Sequence, residues 1–318
     1  METMSLLAML LDALLGLGLL GLAWLLLSCR DLFKAIVLFV AFGLLMAIVW
    51  VRLDAPDVAL AEVAIGAGLT GALLMSALAK LPVDNPTVHY SDEKGHWLLP
   101  LTLALMLLLV AVGIGYAVWS LPVIAPGLSG EVAAHLERSG VNHPVTAVLL
   151  NFRGYDTLLE VVVLLLALLG VWSLNSVEGI PHASEKPANP VLDSLTHLLV
   201  PLLILVAAYL LWAGAHSPGG AFQAGAILAA AGVLLLLAGW RLPIALAGLP
   251  LRLALVAGPA AFVTLAALTL LNARLLEYPP EHAGALILTL ELFATFSIGV
   301  TLAALFLGHP PQERGSSK

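Results

Sequence analysis

The feature that most constrains this chain is a series of apolar runs, each about as long as a lipid bilayer is thick. A membrane-spanning α-helix needs about 20 consecutive apolar residues, and Pro, Gly and polar residues separate the runs from one another. The sequence therefore predicts an all-α, polytopic membrane protein of about nine transmembrane helices. The runs cover about residues 5–28, 32–53, 57–80, 98–120, 154–174, 194–214, 219–240, 252–272 and 284–307.

The composition agrees with this fold class and argues against several functions. Of the 318 residues 61% are hydrophobic and only 10% are charged, whereas soluble domains carry about 25% charged residues. The net charge of −7 offers no basic surface for nucleic acid. Cys29 is the only cysteine, and an iron–sulfur cluster needs about four thiolates. We expect no enzyme and no bound cofactor in this chain, but a transporter subunit whose only cargo is Na⁺ or H⁺.

Two polar stretches divide the chain. Residues 175–192, which are rich in Pro, predict a linker between a bundle of five helices and a bundle of four. The expected organisation is a first module over 1–178, a linker over 179–192 and a second module over 193–318. The longest connection, 121–153, contains GEVAAHLERSG, which predicts a short surface helix outside the membrane.

The distribution of Lys and Arg predicts the orientation, because cytoplasmic loops carry an excess of these residues. With the N-terminus outside, the inner loops and tail hold nine of them and the outer loops four. We therefore expect a multi-pass protein of the cell inner (plasma) membrane with its N-terminus outside and its C-terminus in the cytoplasm.

Acidic residues inside the apolar runs are the candidate functional residues. An ionisable group at bilayer depth costs several kcal/mol, so it usually faces protein or water and often marks an ion path. The four such acids are expected roughly 6–12 Å below the outer ends of their helices, at 1.5 Å per residue. They are Asp12, Glu62, Glu160 and Glu291.

Ion or proton translocation is predicted for Glu62, Glu160 and Glu291, together with Asp57 and Asp156, which precede the first two by five and four residues. The alternative for Glu62 and Glu291 is a hydrogen bond that only supports helix packing. Glu62 lies among small residues that permit close packing, and Asp156 could simply cap its helix.

The stretch GAHSPGGAFQAG, residues 214–225, joins the sixth and seventh apolar runs. Its glycines and proline predict a tight hairpin turn. A phosphate-binding loop is disfavoured because no Lys follows the glycines and no strand precedes them.

Taken together, these stretches resemble a known family. LDAPDVALAEVAIGAGLTGALLM and NFRGYDTLLEVVVLLLALLGVWSL resemble the C-terminal tail of the A subunit of Mrp-type Na⁺/H⁺ antiporters, which is related to small membrane subunits of membrane-bound hydrogenases. AHSPGGAFQAGAILAAAG and TFSIGVTLAALFLG resemble the Mrp B subunit. The hallmark turn of that subunit corresponds here to His216, Pro218, Gly219, Gly220 and Phe222.

The resemblance implies an Mrp B subunit fused to an A-tail-like module, over about 188–310 and 1–178. It implies that the protein works with large antiporter-like membrane subunits, and that Glu62 and Glu160 line a cation or proton route. Two alternatives stay open. The chain could belong to the membrane arm of an energy-converting redox complex such as a hydrogenase, or it could be a structural spacer.

Overall fold

The computed structural model describes residues 2–79, 81, 98–122, 127–175, 190–271 and 275–309. Within these ranges the regular structure is helical and contains no strand, so the predicted all-α class is confirmed. The helices are α1 Glu2–Ser28, α2 Leu32–Arg52, α3 Pro56–Ala61, π1 Glu62–Leu69, α4 Thr70–Leu78, α5 Leu98–Trp119, α6 Ser129–His135, α7 Pro144–Ala147, π2 Val148–Phe152, α8 Gly154–Asn175, α9 Pro190–Ala213, α10 Ala221–Leu237, α11 Ile244–Ala247, α12 Leu249–Leu270 and α13 Ala283–Leu307.

Each of the nine predicted spans corresponds to a helix. Eight helical segments of the described chain are long and apolar enough to cross a membrane, and the ninth, α10, is an apolar helix of 17 residues. The third span is one helical run made of α3, π1 and α4, since Glu62 and Thr70 at its junctions keep helical backbone angles. The chain is therefore a multi-pass membrane protein.

The connections agree with the sequence in part. The predicted surface helix exists as α6, followed by a 3₁₀ turn over Leu136–Ser139. Most of the predicted linker lies outside the described residues, and α9 already begins at Pro190, inside its last three positions. Lys80, Lys94, Lys186 and Arg274, which the orientation argument uses, also lie outside the described residues.

The chain forms two compact units, residues 1–79 with 132–318 and residues 80–131. The smaller unit contains α5, an apolar helix of 22 residues. The larger unit has its core around α13, where Ile287, Leu290 and Ile298 are at most 2% exposed. Helices α8, α10 and α12 pack on this core.

Small residues let α10 and α13 approach closely. A Cβ placed on Gly225 of α10 would lie 2.7 Å from Ile298 Cγ2, and one on Gly299 of α13 would lie 3.0 Å from Leu228 Cβ. A side-chain hydrogen bond ties α13 to α12, because Ser297 Oγ donates to the carbonyl of Leu255 at 2.6 Å. In lipid, such close packing and interhelical hydrogen bonds hold helices together.

Candidate functional site

The turn between α9 and α10, residues 214–220, is the point on which several polar groups converge. Gly214 and Gly220 both donate their N–H to the carbonyl of Leu210, at 3.1 and 2.9 Å. Gly220 has φ 102°, which favours glycine. A Cβ on Gly214 would lie only 2.6 Å from Gly220 Cα. The predicted tight hairpin is therefore present, and these glycines permit it.

The remaining residues of the turn motif face two directions. His216 is exposed, and its ring centroid lies 5.8 Å from that of Trp212 on α9. Phe222, in the first turn of α10, is partly buried against the core. Pro218 is partly buried and precedes the two glycines. The motif thus anchors α10 at one end and presents a histidine at the surface of this chain at the other.

Asp57, in the first turn of α3, binds this turn directly. Its Oδ1 accepts the N–H of Gly219 at 3.0 Å, and its Oδ2 lies 2.9 Å from Nε2 of His143. Gln223 of α10 donates its side-chain N–H to the backbone carbonyl of Asp57 at 3.1 Å. Asp57 therefore joins the first module to the second, a structural task that its predicted role in translocation did not include.

His143 was missed by the sequence analysis because it lies in the connection 121–153, which was interpreted only as an external segment. It stands directly before Pro144, the first residue of α7, and has the extended backbone typical of that position. The N–H groups of Asn142 and His143 both donate to the carbonyl of Ala215, at 2.8 and 3.1 Å. Thr146 Oγ1 donates to the carbonyl of Gly214 at 2.5 Å. No motif in the sequence indicates this contact.

Glu291 of α13 approaches the same turn from the core. The residue is 1% exposed. Its Oε1 would lie 3.0 Å from a Cβ on Gly220 and 3.3 Å from one on Gly214. Oε2 has no hydrogen-bond partner among the described residues. The turn and the N-terminus of α10 are thus in contact with two carboxylates, those of Asp57 and Glu291.

Glu62 is the first residue of π1 and is partly buried. Its carboxylate lies over Gly66 and faces Gly43 of α2, whose added Cβ would lie 3.2 Å from Glu62 Oε1. The carbonyl of Ile65 in π1 accepts both the backbone N–H of Thr70 and its Oγ1, the latter at 2.8 Å. π-helices in proteins are frequent at functional sites, and here one carries an acid within a membrane span.

The expectation that Glu160 is buried is wrong for this chain, since its side chain is exposed. The cause is the rotation of α8, which turns Thr157, Val161 and Leu168 toward the core, and hydropathy does not determine helix rotation. Asp156 forms an ion pair with Arg153 one turn earlier. The two acids therefore lie at one end of α8, with the first already paired and the second facing out of the chain.

Asp12, the fourth acid inside a predicted span, is paired. Its two carboxylate oxygens accept from Nε and a terminal nitrogen of Arg52 at 2.7 and 3.0 Å. This two-point pair closes the hairpin of α1 and α2, and both side chains remain about half exposed. The pairing with Arg52 gives a structural reason for an acid within this apolar run.

Groups of three or more His, Cys, Asp or Glu side chains that could hold a metal do not occur among the described residues. The side-chain contacts described above connect pairs of side chains or join a side chain to the backbone. What this arrangement can do chemically is exchange protons at partly and fully buried carboxyl groups.

Comparisons with known proteins match two separate parts of the chain. Residues 17–83 match the family model for the D subunit of MBH. Residues 191–307 match a domain related to the MnhB subunit of Na⁺/H⁺ antiporter. The predicted module 1–178 extends beyond the first match at both ends, whereas the predicted module 193–318 begins two residues after the second match and ends beyond it. Both boundaries remain a prediction.

Two curated relatives are antiporter subunits. The chain is 28% identical over 223 residues to a probable K⁺/H⁺ antiporter A/B subunit of Rhizobium meliloti, which covers 60% of this chain and 22% of the relative. It is 29% identical over 150 residues to the Na⁺/H⁺ antiporter A subunit of Alkalihalophilus pseudofirmus, covering 44% of this chain and 17% of that protein. The chain thus spans about a fifth of the length of these relatives.

A solved structure shares the fold. A chain of the Mrp complex from a Dietzia species matches 96% of this chain with a TM-score of 0.73 and 21% identity, over 35% of its own length. With the two matched domains, this likeness confirms the resemblance recognised in the sequence: the chain resembles an Mrp-type B subunit with an A-tail-like module.

Proposed function

We propose that this chain is a membrane subunit of a multi-subunit, Mrp-like cation/proton antiporter complex, and that it contributes carboxyl groups to the translocation route. The antiporter subunits among its relatives and the fold shared with a chain of an Mrp complex support this assignment. In this proposal the partners are other membrane subunits, including large antiporter-like ones, and the chain is a transporter subunit rather than an enzyme. The redox-arm and spacer alternatives have less support, because both curated relatives are antiporter subunits.

The observation that carries the proposal is the environment of Glu291. This acid lies inside the span Ala283–Leu307, is 1% exposed, and has one oxygen without a hydrogen-bond partner among the described residues. A purely structural acid is expected to be paired, because an unpaired polar group in a membrane interior costs free energy. Asp12, paired with Arg52, illustrates the structural case. Glu291 instead has the free acceptor that a group binding and releasing protons requires.

The other predicted acids have different roles in the proposal. Glu62, in its glycine-lined space on π1, is the second translocating carboxyl group. Glu160 faces out of this chain, so it would complete the route against a neighbouring subunit, with Asp156 beside it. Asp57 binds the turn between α9 and α10, which Glu291 contacts from α13. The transported cation is Na⁺ or K⁺, since the two curated relatives differ in this.

The proposal is tested by cation-dependent proton movement in inverted vesicles that contain the whole complex. Glu291→Gln and Glu62→Gln are compared with wild type at equal complex levels, with Na⁺ and with K⁺. Glu137→Gln is the matched control, because Glu137 is exposed and lies in the 3₁₀ turn, outside the spans. We expect both span variants to lose exchange while the control keeps it. Full exchange in both span variants, at normal assembly, would refute the proposed role.

The proposed orientation has its own test, because Cys29 is the only cysteine. This residue is partly exposed between α1 and α2. With the N-terminus outside, Cys29 is at the cytoplasmic face. A membrane-impermeant thiol reagent should then label the chain in inverted vesicles and leave it unlabelled in intact cells, and the opposite pattern would reverse the orientation.

A further inference from the structure

A histidine–carboxylate pair lies where α3 meets the turn between α9 and α10, and its histidine has no role in the function proposed above. His143 Nε2 and Asp57 Oδ2 are 2.9 Å apart, and their side chains are 13% and 12% exposed. Because a carboxylate only accepts hydrogen bonds, Nε2 carries the hydrogen of this contact. No partner of Nδ1 is found among the described residues. Nε2 of the ring thus binds the carboxylate of Asp57, while Nδ1 can still exchange a hydrogen bond with water.

We infer that His143 is a proton-transfer residue, which passes protons between water at the surface of the chain and the carboxyl group of Asp57. The inference rests on the proposed function. Imidazole is the side chain that gains and loses protons between pH 5 and 8, and it can accept at one nitrogen while it donates from the other. The imidazole of His143 fits this task, because its side chain is slightly exposed to water while its Nε2 contacts Asp57.

The transfer step balances within the pair. A proton from water adds to Nδ1 of His143, and the hydrogen on Nε2 passes to Oδ2 of Asp57. The ring changes tautomer and keeps its charge, and Asp57 becomes neutral. The reverse sequence returns a proton from Asp57 to water.

The charge of Asp57 matters because of what else the turn binds. The turn before α10 meets both acids, since the N–H of Gly219 donates to Asp57 and Glu291 Oε1 would lie 3.0 Å from a Cβ on Gly220. A helix N-terminus stabilises negative charge. When Asp57 becomes neutral, more of this stabilisation is available to Glu291. Proton transfer through His143 would thereby change the proton affinity of the buried acid across the turn.

Other titratable groups near the pair are few in the described chain. On α3 and π1 the next acid is Glu62, and on α13 it is Glu291. On the turn itself His216 lies beside Trp212 and is exposed. The contact from α10 is the amide of Gln223, which does not titrate. His143 is therefore the titratable group in direct contact with the Asp57 carboxylate.

The structure also allows the side chain to be changed without undocking its segment. The backbone N–H groups of Asn142 and His143 bind Ala215, and Thr146 binds Gly214, independently of the imidazole ring. His143→Gln keeps a donor for Asp57 but cannot transfer a proton. His143→Ala leaves space that free imidazole can occupy.

The test measures cation-driven proton exchange by the whole complex in vesicles, as a function of pH on the side that His143 faces. His282→Gln is the control, because His282 is exposed and precedes α13. We expect both His143 variants to assemble and to slow exchange about 100-fold or more, the scale of a lost proton-transfer group. Their dependence on pH should differ from that of wild type, and added imidazole should restore the Ala variant.

Three results would overturn the inference. One is a wild-type rate and pH profile in His143→Gln. Another is slowed exchange that imidazole does not restore in the Ala variant. The third is failure of both variants to assemble. Either of the last two results would mean that His143 has a purely structural role. If Glu291→Gln and Glu62→Gln lose exchange while His143→Gln does not, only this inference fails. If the wild-type complex exchanges no cation for protons, the proposed function fails and the inference falls with it.

Discussion

Replacement of Gly66 by alanine would displace the Glu62 carboxylate without changing its charge. A Cβ on Gly66 would lie 2.8 Å from Glu62 Cδ and 3.3 Å from Oε2, and nearer still to Oε1. Ordinary contact begins at 3.4 Å, so the carboxyl carbon must withdraw by about 0.6 Å and Oε1 by more. The change therefore tests the position of this acid, whereas Glu62→Gln tests its charge.

The expected cost in stability is small. Glycine to alanine in a helix contributes roughly 1 kcal/mol of stabilisation, and a side chain forced about 30° off its rotamer costs about 0.5–1.5 kcal/mol. These two terms nearly cancel, so the complex should assemble at wild-type level. A 1 Å misplacement can cost an enzyme about 100-fold. For a displacement of about 0.6 Å at the carboxyl carbon we expect exchange to fall about tenfold.

The assay is cation-dependent proton exchange in inverted vesicles, with two glycines for comparison. Gly43→Ala should be milder, because its Cβ would lie 3.1 Å from Ala67 Cβ and 3.2 Å from Glu62 Oε1. Gly170→Ala on α8 is the matched control, since its Cβ would meet nothing within 4 Å. Normal exchange in Gly66→Ala, or equal losses in all three variants, would refute the reasoning.

Three further predictions concern helix packing and the connection between α12 and α13. Gly225→Leu should lower the amount of assembled complex on native gels, because even a Cβ there would lie 2.7 Å from Ile298 Cγ2. Ser297→Ala removes the hydrogen bond to Leu255 and should lower the free energy of unfolding by about 1 kcal/mol in a denaturation series. Burial raises the pKa of Tyr278 to about 12; the folded protein keeps this phenol neutral and should lose stability as pH rises from about 10 to 12. The phenolate absorbance of wild type and Tyr278→Phe, recorded over that range, should differ only near the upper end.

The helices could be predicted from the sequence because hydropathy over bilayer length is a strong local signal. The π-helix could not, since EVAIGAGL has the same apolar composition as an α-helical segment. Its wide turns depend on packing against α2 and α10. The rotation of α8 escaped prediction for the same reason, and this is why Glu160 faces outward.

The sequence predicted several residues of the candidate site, but not the contacts that bring them together. Glu62, Glu291 and the turn with Gly219 were recognised because acids and glycines in apolar runs are conspicuous. That Asp57 and His143 meet at this turn was not, because 86 residues separate them and no local pattern connects them. Pairing of Asp12 with Arg52 likewise depends on how two helices lie side by side.

The contact among Asp57, His143 and Gly219 has a consequence for how such a chain is inherited. Polar contacts join three stretches of one polypeptide here. If these stretches were separate chains, the same contacts would form an interface between subunits. If the first and last modules were made from separate genes, the same contacts would have to form between two freely diffusing proteins. Fusion keeps the two halves at equal dose and at permanently high local concentration. A substitution in any one of the three stretches is then selected together with the other two.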